Sequence, residues 1–81
     1  MSLKSIVVYG AKWCSYCKKL ENWLVDNEHN YEFKDIDNEV NNQELNTYDA
    51  HGIPFIIIKD NDTKHTIEGF NPEQIKNVIN S

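Results

Sequence analysis

The chain has 81 residues, 40% of them hydrophobic and 26% charged, a balance typical of one small globular domain over residues 1–81. Eight lysines and thirteen acidic residues give a net charge of −5, which argues against a nucleic-acid-binding surface. The longest apolar run, residues 53–58, is too short to span a bilayer, and the N-terminal residues lack the pattern of a signal peptide. We therefore expect a soluble cytoplasmic protein that binds neither nucleic acid nor membrane.

The first two elements are a strand and a helix. Residues 5–9 are mostly β-branched or aromatic and end at Gly10, which predicts a short buried strand. An amphipathic helix is predicted after Cys14, because apolar residues recur at helical spacing while charged residues lie between them. The recurring apolar residues are Cys17, Leu20 and Leu24.

The rest of the chain alternates between strands and helices. The predicted segments are a strand at 31–36, a weaker helix at 38–50, strands at 55–58 and 64–67 joined by a turn, and a final helix. Asn71 is placed to cap this last helix, with Pro72 at its first position and Gln74 reaching back. The order βαβαββα predicts an α/β fold in which helices cover both faces of a mixed four-stranded sheet.

The two cysteines, Cys14 and Cys17, are separated by two residues. A disulfide closing so small a loop adds little stability, and stabilising bridges in small secreted domains come in sets, so this pair is interpreted as redox-active. Cys14 stands at the start of the first predicted helix, where free N–H groups and the helix dipole stabilise a thiolate. We predict that Cys14 is the nucleophile and that Cys17, on the apolar side of the helix, is the resolving thiol.

A zinc site is the alternative interpretation of this pair. Such a site needs two further ligands, and His29, His51 and His65 do not form the close pair found in zinc fingers. We therefore predict no metal site. Tyr16 lies between the two cysteines in an exposed turn, so we expect it to border a binding groove.

Two segments resemble the glutaredoxin family, and the likeness covers nearly the whole chain. Residues 9–19, Tyr-Gly-Ala-Lys-Trp-Cys-Ser-Tyr-Cys-Lys-Lys, resemble the active-site segment of dithiol glutaredoxins, and residues 52–55, Gly-Ile-Pro-Phe, resemble their Thr-Val-Pro segment. This resemblance implies the thioredoxin-like fold and a cis peptide bond before Pro54. It also implies that the backbone of Ile53 is offered to a substrate thiol, and that the protein is a monomeric enzyme that reduces protein disulfides or glutathione mixed disulfides.

The resemblance implies glutathione as the co-substrate. The residues expected to contact it are Lys12, Tyr16, Ile53, Pro54, Gly69, Phe70 and Asn71. Its γ-glutamyl end is expected near the start of the last helix, where free N–H groups favour anions.

Three departures from the glutaredoxin pattern keep alternatives open. Ser15 replaces the usual proline, as in some relatives that carry a [2Fe–2S] cluster between two subunits, although we do not favour cluster binding here. Glu68 replaces the first glycine of a Gly-Gly pair and puts a carboxylate near the expected glutathione site. Residues 69–72, Gly-Phe-Asn-Pro, resemble glutaredoxin-like redoxins that are reduced by thioredoxin reductase and donate electrons to ribonucleotide reductase.

Overall fold

The computed structural model describes residues 4–80 and has the predicted element order, βαβαββα. The elements are β1 (Lys4–Gly10), α1 (Ser15–Asp26), β2 (Glu32–Asp35), α2 (Glu39–Asn46), β3 (Phe55–Asp60), β4 (Thr63–Glu68) and α3 (Pro72–Asn80). Over this range, no helix has both the length and the apolar character needed to cross a membrane.

The four strands form one mixed sheet in the order β2-β1-β3-β4. β1 runs parallel to β2, with Val8 opposite Phe33, and antiparallel to β3, with Tyr9 opposite Phe55. β3 and β4 form the predicted antiparallel hairpin. The predicted mixed sheet is therefore confirmed. β1 is a central strand, and its C-terminal end leads into the CxxC segment.

Successive side chains of the central strands point to opposite faces of the sheet, so the core consists of two layers. On one face α1 and α3 cover the sheet, and on the other face α2 does so. The first layer contains Ile6, Val8, Leu20, Leu24, Ile56, Ile58, Ile67 and Ile75, and the second contains Tyr9, Leu45, Phe55 and Ile57. Each such aliphatic side chain stabilises the fold by about 1.5–3 kcal/mol relative to an exposed one. The prediction of helices on both faces is confirmed.

The ends of the helices follow capping rules, with one correction. The Asn71 side-chain oxygen accepts a hydrogen bond from the Gln74 N–H at 3.3 Å, and its amide group donates to the Gln74 side chain at 3.1 Å, which confirms the predicted cap of α3. The prediction that the second helix extends to residue 50 is wrong, because α2 ends at Asn46. After Asn46, the Tyr48 N–H donates a hydrogen bond to the Leu45 carbonyl, and the chain then turns at Asp49, whose φ is 55°.

A polar contact ties α2 to the sheet at the buried ring of Tyr9. The Tyr9 hydroxyl donates to the Glu44 carboxylate at 2.8 Å, and the Lys34 ammonium lies 2.8 Å from the same oxygen. Burial and, next, the hydrogen bond to Glu44 raise the pKa of Tyr9 from 10.0 to about 12. The folded state therefore holds the tyrosine proton more tightly than the unfolded chain does.

We expect Tyr9→Phe to lower the free energy of unfolding at neutral pH by about 1 kcal/mol, because one partly buried hydrogen bond is lost. The stability due to the raised pKa is present below pH 10, the ordinary tyrosine value, and is lost as the pH approaches 12. Urea unfolding at several alkaline pH values should therefore show a shallower loss of stability for Tyr9→Phe than for the wild type. Equal slopes would contradict the assignment, and Tyr48→Phe is the aromatic control.

Candidate active site

Cys14 caps the N-terminus of α1 and is half-buried. Its backbone is extended, with φ −90° and ψ 114°, and its N–H donates to the Ala11 carbonyl at 3.2 Å. The Cys14 Sγ atom accepts a hydrogen bond from the N–H of Cys17 at 3.3 Å. The Cys14 sulfur therefore lies at the helix N-terminus, beside backbone N–H groups and the positive end of the helix dipole.

Cys17 lies one turn further along α1 and is fully buried. Burial, followed by the hydrogen bond with Cys14, raises the pKa of its thiol to about 12, while the Ala11 backbone acts in the opposite direction. Cys17 is therefore protonated at neutral pH and shielded from solvent. The two sulfurs of one motif thus occupy unlike environments, as a nucleophile and a resolving thiol require.

Gly10 packs directly against the side chain of Cys17. A Cβ atom at this position would lie 2.7 Å from the Cys17 Sγ atom and 3.0 Å from the Phe33 ring. Because real Cβ atoms do not approach sulfur this closely, the missing side chain leaves the space that the thiol fills. Sequence reasoning assigned Gly10 only to the end of a strand, although a glycine at a strand end four residues before a CxxC motif is a signal of such a close approach.

Two exposed aromatic side chains flank Cys14. Trp13 is 69% exposed, and its indole N–H donates to the Asp37 carboxylate at 3.4 Å. Tyr16 is 58% exposed, and the Lys19 ammonium lies 5.2 Å from the centre of its ring. Sequence reasoning missed Asp37, because nothing in the local pattern around it points to a partner so far away in the chain.

The segment around Pro54 lies at the same end of the sheet. The Ile53–Pro54 peptide bond is cis, as the glutaredoxin resemblance implied. Phe55, the next residue, begins β3 and pairs with Tyr9, so Pro54 lies at the end of the sheet at which β1 leads into the CxxC turn. The N–H of Gly69 donates to the Pro54 carbonyl at 2.8 Å, and Gly69 has a φ of 80°, a value that favours glycine.

The residues predicted to contact glutathione fall into two groups. Lys12 and Tyr16 are exposed beside Cys14. The second group consists of Ile53, Pro54, Gly69, Phe70 and Asn71, which the hydrogen bond between the two backbone segments brings together. The Glu68 carboxylate accepts a 3.4 Å hydrogen bond from the His51 N–H, so it faces the segment that leads to Pro54. Within residues 4–80, no group of three or more His, Cys, Asp or Glu side chains forms a metal-binding cluster.

Comparisons with known proteins agree with this geometry. A family model described as Thioredoxin matches residues 2–81. A search of curated proteins gave no match. Among solved structures, a variant of the thioredoxin-like protein BC3987 superposes with a TM-score of 0.76 at 26% identity, over 93% of this chain and 99% of that chain.

Two further structures share the fold. A glutaredoxin from Methanosarcina mazei Go1 has a TM-score of 0.76 at 21% identity, over 93% of this chain and 77% of that chain. The oxidised mitochondrial thioredoxin 3 of Saccharomyces cerevisiae has a TM-score of 0.77 at 18% identity, over 95% and 76%. With its four-stranded mixed sheet, three helices in the described range and a CxxC pair at the start of α1, the chain belongs to the thioredoxin family.

Proposed function

We propose that this chain is a dithiol oxidoreductase of the glutaredoxin type, which reduces protein disulfides and glutathione mixed disulfides in the cytoplasm. The observation that carries the proposal is the contrast between the two cysteines. Cys14 is accessible at a helix N-terminus, whereas Cys17 is fully buried and has a raised pKa. The Cys14 thiol is therefore available to attack a substrate. The buried Cys17 thiol reacts only after Cys14 has formed a disulfide with that substrate.

The chemistry follows from this contrast. The Cys14 thiolate attacks one sulfur of the substrate disulfide, which breaks the S–S bond and releases a substrate thiolate. With a protein disulfide, Cys17 then gives up its proton and attacks the Cys14 Sγ atom, which releases the second substrate thiol and leaves a Cys14–Cys17 disulfide. Two electrons have passed to the substrate. With a glutathione mixed disulfide, free glutathione can instead attack the glutathione bound to Cys14.

Glutathione is the reductant that we favour. Tyr16 offers an exposed aromatic surface beside Cys14, and the Ile53–Pro54 backbone lies at the same end of the sheet. The N-terminus of α3, which follows Asn71, offers the positive end of its helix dipole to a glutathione carboxylate. Glu68 opposes this binding, because its carboxylate faces the segment that leads to Pro54 and glutathione is itself an anion. A like charge at a partly solvated distance lowers affinity by about a few-fold and does not prevent binding.

A second candidate is an electron donor to ribonucleotide reductase that is recycled by thioredoxin reductase. Residues 69–72, Gly-Phe-Asn-Pro, and the presence of Glu68 favour this alternative. Both candidates use Cys14 and Cys17 in the same roles, so they differ only in the reductant and in the protein that is reduced.

A recycling assay distinguishes the two candidates. The oxidised protein is incubated with NADPH and either glutathione plus glutathione reductase or a thioredoxin reductase alone, with an insulin disulfide as the acceptor. We expect NADPH consumption to be faster with glutathione. Consumption with thioredoxin reductase alone, and none with glutathione, would replace the first candidate by the second.

We expect Glu68→Gln to increase glutathione-dependent turnover about two- to fivefold at low salt, because it removes one negative charge near the bound anion. The gain should shrink as ionic strength rises, since exposed charges are screened beyond about 10 Å at 0.1 M salt. Asp62→Asn is the matched control, because it removes the same charge in the exposed turn between β3 and β4. Equal turnover of all three proteins would show that Glu68 does not limit glutathione binding.

A further inference from the structure

We propose that the start of α1 binds acidic segments of its protein substrates, so that disulfides flanked by Asp or Glu are reduced in preference to others. This inference rests on the proposed oxidoreductase function and specifies its substrate class. The surface consists of Lys12, Lys18 and Lys19, here called the basic patch, together with the exposed rings of Trp13 and Tyr16.

The charge of the chain is distributed unevenly along the sequence. Residues 1–20 contain four lysines and no acidic residue, while the rest of the chain has four lysines against thirteen acidic residues. All three lysines of the basic patch are exposed, and each lies within five residues of Cys14. An acidic protein therefore presents a local positive field at the one thiol from which the reaction starts.

The helix dipole makes this placement unusual. Anionic side chains stabilise the N-terminus of a helix and cationic ones destabilise it. The first turn of α2 carries Glu39 and that of α3 carries Glu73, as this rule predicts. The first turn of α1 has no acidic residue and carries Lys18 instead. α1 therefore departs from a rule that α2 and α3 follow, and such a departure indicates a functional role for the lysines at its start.

In the part of the chain that the structure describes, no lysine of the basic patch forms an ion pair. Across residues 4–80, the ion pairs are formed by Lys4 and Lys34, and neither is part of the patch. Lys19 instead lies over the Tyr16 ring, where its charge remains available to a partner. Two nearby carboxylates have other partners: Asp37 accepts a hydrogen bond from the Trp13 indole, and Glu21 accepts one from the Tyr31 hydroxyl. Charge complementarity therefore favours an acidic peptide next to the disulfide that Cys14 attacks.

Three short peptides with the same internal disulfide, flanked by glutamate, glutamine or lysine residues, test this inference. The reduced protein is mixed with each peptide, and the rate of Cys14–Cys17 oxidation is followed by acid quenching and mass spectrometry. We expect the acidic peptide to react about three- to tenfold faster than the neutral one at low salt, and the basic peptide to react more slowly. The ratio should fall towards one as salt is added.

The variant Lys18→Gln/Lys19→Gln separates substrate binding from an effect on the thiolate. If the lysines attract the substrate, the double variant loses rate with the acidic peptide and keeps its rate with the neutral one. An equal loss with all peptides would mean that the lysines act on Cys14 alone and would overturn the inference. Lys59→Gln/Lys76→Gln, which removes two exposed lysines elsewhere, should behave as the wild type does.

The result with the neutral peptide also separates this inference from the proposed function. Reaction of the wild type with all three peptides at one rate would overturn the inference and leave the oxidoreductase function in place. Failure of every peptide to oxidise the protein would overturn the proposed function itself, and the inference with it.

Discussion

Replacing Cys14 with serine should abolish thiol transfer to every substrate, because a serine hydroxyl does not ionise near neutral pH and forms no disulfide. Replacing Cys17 with serine should abolish the reduction of protein disulfides by the dithiol route and retain deglutathionylation, in which glutathione supplies the second thiol. The structural reason is the position of Cys14 at the helix N-terminus and the complete burial of Cys17. Turnover with a glutathionylated peptide and with a protein disulfide measures both routes.

The comparison of the two variants is the informative part of this experiment. Ser15→Ala serves as the control, because it changes a hydroxyl within the same turn and leaves both thiols in place. Equal losses in Cys14→Ser and Cys17→Ser with the glutathionylated peptide would refute the assignment of different roles. Retained transfer in Cys14→Ser would refute the choice of nucleophile.

Gly10→Ala should destabilise the fold by about 1–3 kcal/mol and slow the reduction of protein disulfides, because its methyl group would overlap the Cys17 thiol. The new Cβ atom would lie 2.7 Å from the Cys17 Sγ atom and 3.2 Å from the Cys17 Cβ atom, which belongs to a packed helix and has little room to move. Chemical unfolding measures the loss of stability. Gly52→Ala is the matched control, since a Cβ atom there would meet nothing within 4 Å.

A double-mutant cycle tests whether the strain lies at this contact. Adding Cys17→Ala to Gly10→Ala removes the sulfur while keeping the Cβ atom, so part of the lost stability should return. If Gly10→Ala were as stable as Gly52→Ala, the steric account of Gly10 would be wrong. If the double variant gained nothing, the Phe33 ring would be the contact that matters.

The sequence predicted the element order well because its apolar periodicity is strong where burial is strong. Leu20 and Leu24 repeat at helical spacing and are fully buried in α1, and residues 55–58 form a continuous apolar run that is buried on both faces of the sheet. The end of α2 could not be predicted in the same way. Tyr48 continues the apolar pattern of the helix, yet it packs into the core from the turn beyond Asn46, where tertiary packing decides its position.

The two thiols of the candidate site could be predicted from the sequence, but the contacts that surround them could not. The CxxC spacing and its place between a strand and a helix identify Cys14 and Cys17 from local chemistry alone. The contact between Trp13 and Asp37 and the packing of Gly10 against Cys17 depend on how distant segments meet. Such contacts leave no periodic signal in a single sequence. The cis bond before Pro54 was implied by family resemblance and could not have been derived from composition or spacing.

The most direct test of the account is the identity of the cysteine that a substrate modifies. Cys17→Ser and Cys14→Ser are each reduced, mixed with oxidised glutathione for a short time, quenched with acid and mapped by peptide mass spectrometry. We predict a glutathione adduct on Cys14 that accumulates rapidly in Cys17→Ser, and little or no adduct on the buried Cys17 in Cys14→Ser over the same time. Adducts forming on Cys17 as fast as on Cys14 would contradict the account.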